Sequence, residues 1–215
     1  MKNKAELGLF SVAICSGILF GAMPSIMAMQ FQAMDYLGCY TNVTGGPSHA
    51  HIKGYTSRTA HSCTFGTGET ALTFKWEDYK PRSGPMLSRN KGVFIGEQKV
   101  IDSLASSGKI YRIISDDGKV FYLCYGITVG PEQFIHLMGS SQGRYYDMVT
   151  IMDLNQYLQR DLRGLDYIGA VSLHDAYIEG AEIIIPLGNK KGDEGAFHFK
   201  WDESAQWFGI EYQSY

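Results

Sequence analysis

Two apolar-rich runs in the middle of the chain organise the rest of it. Residues 109–115 and 119–129 are two runs rich in β-branched and aromatic side chains, separated by Asp116, Asp117 and Gly118. An Asp-Gly step between two such runs predicts a hairpin, because glycine takes the positive φ of a tight turn at little cost. Residues 134–138 and 145–152 repeat the arrangement around a longer Gly-Ser segment that begins at Gly139 and ends at Gly143, which predicts a second hairpin. Residues 70–76 place Leu72, Phe74 and Trp76 on one side and Ala71, Thr73 and Lys75 on the other, as in a half-buried strand. Residues 30–43, 165–173 and 181–187 also read as strands. The pair 196–201 and 206–212 closes the chain as a hairpin around Asp202, Glu203, Ser204 and Ala205.

A period near four appears once with force, at residues 153–164. Leu154, Tyr157, Leu158 and Leu162 fall on one helical face. Asp153 stands at the capping position with Gln156 three residues on, and Arg163 and Gly164 suit the closing end. A second, short helix is expected within 96–108, with Val100, Ile101 and Leu104 on one face and Gly108 as its stop. Residues 77–92 are charged and contain Pro81, Gly84 and Pro85, which predicts a long surface loop. Together these elements predict a mainly β protein of antiparallel hairpins, arranged as a sandwich or an open barrel, with one clear helix near 153–164.

The first 28 residues follow a different pattern. Lys2 and Lys4 precede an apolar run, and no charged residue occurs between Leu7 and Met34. Pro24 breaks the run and small or apolar residues continue to Ala28, the order of a secretory signal peptide cleaved near Ala28. An uncleaved membrane anchor over 7–28 is the rival reading, and only then would the protein be held at a membrane. Both readings place residues 29–215, a single mostly β domain, outside the cytoplasm, secreted or periplasmic. Loss of the leader removes Lys2, Lys4 and Glu6, leaving 17 basic against 21 acidic residues and a net charge of −4. That balance, with no basic stripe along the chain, gives no footprint for nucleic acid. The 45 % hydrophobic and 19 % charged composition is that of a folded chain, and 14 Tyr with 25 Gly favour strands and turns over helices.

Export changes the reading of the cysteines. Cys39, Cys63 and Cys124 remain after cleavage, and Cys39 with Cys63, both in the Gly-rich N-terminal part, is the expected disulfide. Cys124 lies between Leu123 and Tyr125 inside a strand and reads as a small buried hydrophobe. The one constellation with metal-binding character is His49 and His51 with His61 and Cys63. Residues two apart on a strand share a face, so a hairpin with its turn at 56–59 would gather four ligands suited to zinc or copper. The plainer reading is solvated histidines, and no resident cofactor is expected.

Catalytic signatures are weak. No serine sits in a G-x-S-x-G context. His174 and Asp175 are adjacent, and neighbours on a strand point to opposite faces. A nucleophilic site would have to be assembled from distant residues, for which His136 or His174 hydrogen-bonded to a carboxylate in a cleft would be the sign. Trp76, Trp201, Trp207, Tyr145 and Tyr146 lie on strands, either as a ligand-binding aromatic face or as core packing, and their apolar strands favour packing. The function expected on this basis is non-catalytic binding of an envelope component or extracellular ligand. A secreted hydrolase and a small metal-binding protein are the alternatives.

Overall fold

The central hairpin forms where the two apolar runs and the Asp-Gly step between them place it. In the computed structural model, β6 (Ser106–Ser115) and β7 (Val120–Thr128) pair antiparallel, with Gly118 at φ +81° in the turn and its N–H donating to Ser115 O at 3.0 Å. The structure describes residues 29–41, 55–102, 106–128, 132–161, 172–189 and 192–214. The predicted signal peptide or anchor over 1–28 lies outside the described residues, as do 162–171. No helix among the described residues is long and apolar enough to cross a membrane.

Three antiparallel sheets result. The central sheet runs in the order β1 (Phe31–Thr41), β6, β7, β8 (Gln133–Ser141), β9 (Arg144–Ile151). The first outer sheet is the meander β2 (Tyr55–Phe65), β3 (Leu72–Pro81), β4 (Leu87–Ile95), β5 (Gln98–Ile101). In the second, β10 (Ser172–Leu173) and β11 (Tyr177–Glu179) both pair with β12 (Glu182–Asn189), which continues into β13 (Gly192–Asp202) and β14 (Trp207–Ser214). Strands make up 73 % of the described residues and no barrel closes among them, an arrangement consistent with an open sandwich.

The central sheet is buried on both faces. On β7, Phe121, Leu123 and Tyr125 point into a core shared with Ile183, Ile185, Phe197 and Phe199 of the second outer sheet. Tyr122 and Cys124, between them, point into a core shared with Leu72, Phe74, Val93 and Ile95 of the first. This explains why 121–125 reads as an unbroken apolar run: a strand covered on both sides has no polar face to alternate with. Cys124 is buried, as its neighbours predict. The helix α1 (Leu154–Asp161) buries Leu154 and Leu158 in the core on the second sheet's side, and the Gln156 N–H donates to Asp153 Oδ1 at 3.0 Å, the expected cap.

Three local expectations are corrected. Residues 56–59 form no turn; β2 runs through them as an extended strand paired with β3. Residues 77–92 are largely a hairpin, because β3 continues to Pro81 and β4 starts at Leu87. Their charges are cross-strand partners: Glu77 takes Arg58 from β2, Lys91 at 2.7 Å and the Tyr79 hydroxyl, while Ser88 donates to Asp78. A polar face satisfied in this way looks like a loop by composition. Residues 96–102 hold no helix; Gly96 and Glu97 turn the chain and β5 follows, with the β-branched Ile101 entering a core.

Candidate functional site

Between β10 of the second outer sheet and the central sheet lies a cavity of ≈ 510 Å³. Its floor is the central sheet: Ser107 and Lys109 on β6, Tyr125 and Ile127 on β7, Gln133 on β8 and Cys39 on β1. Ser172 and Leu173 of β10 form the wall. Alternation dictates this set, since Ser107, Lys109 and Tyr111 share the face of β6 that Ile113 continues into the core. β1 adds Cys39 directly opposite Lys109 in the register.

The wall is held by backbone contacts. Leu173 N–H donates to Gln133 Oε1 at 3.1 Å and His174 N–H to Pro186 O at 2.9 Å. The His174 ring lies against Gly188, where a Cβ would stand 2.1 Å from Nε2, so only glycine allows the close approach. This fixes Asp175, whose carboxylate takes the Lys109 ammonium and, at 3.3 Å, the Tyr111 hydroxyl. Tyr125 donates to His174 O at 3.0 Å and accepts from the Ala176 N–H at 3.0 Å. The Tyr111 and Tyr125 rings stack at 5.7 Å with planes 1° apart, and Tyr36 packs on Tyr111 at 5.3 Å. The Tyr36 hydroxyl lies 2.8 Å from Cys39 Sγ.

The protonation states follow. The hydrogen bond to Asp175 raises Lys109 above its ordinary value, and the same bond lowers Asp175. Burial pushes the phenols of Tyr111 and Tyr125 upward, and the bond to Cys39 does so for Tyr36. At neutral pH the site therefore presents an ammonium and protonated phenols. With the Asp175 carboxylate beside them, these groups donate hydrogen bonds and position charge.

A second polar group lies under the first outer sheet. His136 on β8 is the register partner of Cys124 on β7, and its Nδ1 is 2.6 Å from Asp147 Oδ2 on β9. Thr150 donates to the same oxygen at 2.6 Å. Thiol, imidazole and carboxylate thus follow one another across three neighbouring strands. The His136 side chain is only 2 % exposed, on the face whose Phe134 and Met138 pack in the core, and burial pushes the Cys124 thiol well above its ordinary value. The hydrogen-bonded histidine is present, and it is closed off from substrate. His136 Nε2 and Asp147 Oδ1 are buried without a hydrogen-bond partner.

The predicted metal ligands are divided. His49 and His51 lie outside the described residues. His61 and Cys63 share one face of β2, with the His61 ring stacked on Trp76 at 5.3 Å and Nε2 2.9 Å from Asp78 Oδ2. No group of three or more metal-binding side chains forms among the described residues. Cys39 and Cys63 are free thiols, on the central and first outer sheets respectively, so the expected disulfide is not formed. Of the aromatic set, Trp201 is core, Tyr145 packs against the core on the first sheet's side, and Trp207 meets the partly exposed Tyr146 at 5.6 Å across two sheets.

The cavity residues were not singled out by the sequence. Lys109, Tyr111 and Asp175 come together only when β1 docks beside β6 and β10 folds over both, and no local spacing encodes that. No protein-family model, no characterised protein and no solved structure matches this chain.

Proposed function

We propose that the protein is an exported, non-catalytic binding protein of the cell envelope, and that the cavity between β10 and the central sheet is its ligand site. The observation that carries this reading is the cavity itself: ≈ 510 Å³, within the range that small ligands fill, with mixed apolar and hydrogen-bonding walls. The Lys109 ammonium and the protonated phenols beside it suit binding. The leader-like residues 1–28 support export. A hydrolase reading has the His136–Asp147 pair, sealed between two sheets, and the His61–Asp78 and His198–Glu182 pairs, none of which lines the cavity. Of the residues of the metal-binding alternative, His61 and Cys63 are described, and the His61 ring faces Asp78.

The test is the mass of the protein produced with its own leader and recovered from the exported fraction. Loss of residues 1–28 and a native mass exceeding the denatured mass by one small organic molecule are expected. Ile127→Trp, which adds bulk on the cavity floor, should release that molecule. An adduct that persists unchanged in Ile127→Trp, or a chain that stays in the cytoplasm, would overturn the reading.

A further inference from the structure

We infer that the ligand of this cavity is an anionic amphiphile, an apolar body ending in a carboxylate, with its head at Lys109 and its body against Ile127 and Leu173. This rests on the cavity being the ligand site and adds its chemistry. Ile127 is 53 % exposed, unusual for a large aliphatic residue, and it lies on the cavity floor. The half-buried Leu173 extends this apolar surface, which an apolar body would take out of water. Among the described lining residues one cation, Lys109, stands beside this surface. The Lys109 ammonium carries three N–H donors, and Asp175 Oδ1 takes one of them. Asp175 is 76 % exposed and does not line the cavity, so water weakens its hold on Lys109. An incoming carboxylate meets the ammonium from the sheltered side, with the Ser107 and Ser172 hydroxyls as further donors. Among the described lining residues there is no carboxylate to repel it.

Cys39 supplies the reporter, because its exposed thiol lines the same cavity. The experiment follows the rate of Cys39 alkylation by iodoacetamide in the exported protein. The probes are decanoate, its neutral isostere decanamide, and acetate, all below micellar concentration. Decanoate should slow alkylation at least about fivefold more than decanamide, and acetate should give little protection. Lys109→Met should abolish the preference for decanoate while keeping the protection by decanamide; the wild-type comparison stands without the variant. Equal protection by decanoate and decanamide overturns the anionic assignment and leaves the cavity as a ligand site. No protection by any probe, with no small molecule recovered from the exported protein, overturns the cavity reading itself.

Discussion

Glu77 shows how a single residue can report on the fold around it. It is buried, and desolvation alone would push its carboxyl upward, but the hydrogen bonds from Arg58, Lys91 and Tyr79 outweigh that and hold it at about 2. A carboxylate depressed in the folded state stabilises the protein above its unfolded value, near 4.5, and that contribution is lost as pH falls toward 2. Glu77→Gln should cost roughly 1–3 kcal/mol at pH 7 by leaving Arg58 and Lys91 without their partner. Urea denaturation of both proteins between pH 7 and pH 2.5 measures it, and the gap between them should narrow below about pH 4.5. A gap independent of pH would show that the ionised form is not what stabilises. Lys109 and Asp175 show the opposite extreme: both are exposed enough that their bond shifts charge states without contributing much to stability.

Among the elements, those with a strong local code were legible in the sequence and those defined by partners were not. Asp153 caps α1 as its spacing with Gln156 implies, so Asp153→Ala should lower stability by about 1 kcal/mol in the same denaturation assay. The hairpin of β8 and β9 was also readable, although its turn is tighter than the Gly-Ser composition suggested. Both strands extend to Gln142 and Gly143, at φ +51° and +76°, a two-residue turn with both residues left-handed. Gly143→Ala should therefore cost about 1 kcal/mol, while Gln142→Gly should cost nothing or stabilise slightly. The β3–β4 hairpin was hidden because its polar face is satisfied across strands by Arg58, Lys91 and Ser88, and pairing of that kind leaves no period in a single segment. The β-branched Val100 and Ile101 fit a helical face by spacing and a strand by propensity, and packing of Ile101 into the core decided for the strand. The cavity is the extreme case, since its residues come from β1, β6, β7, β8 and β10 and no two adjacent ones announce it.

At the scale of the molecule, one sheet serves two cores. The short echo Phe74-Lys75-Trp76 and Phe199-Lys200-Trp201 falls on β3 and β13, interior strands of the two outer sheets, and Phe74 and Phe199 press on opposite faces of the same central sheet. A shared layer couples the two halves. Native-state hydrogen exchange should give the slowest amides of β3 and β13 opening free energies within about 1 kcal/mol of each other, and Leu123→Ala should lower both together by roughly 2–4 kcal/mol. Independent opening of the two outer sheets would show instead that each core holds itself.

The central sheet also imposes an order on assembly. Its edge strand β1 begins the described chain, yet its partner is β6; Asp35 and Arg112, bonded at 2.7 Å, are 77 residues apart. The hairpins β6–β7 and β8–β9 close over short loops and can form as soon as they are synthesised, whereas β1 must wait while the whole first outer sheet emerges behind it. During that wait Met29 and Phe31 have no core to enter, and one row of backbone groups on β1 has no neighbour. The nascent chain thus spends its early life with an adhesive N-terminal strand, and a holding chaperone acting on it at this stage would govern how much of the protein reaches the folded state.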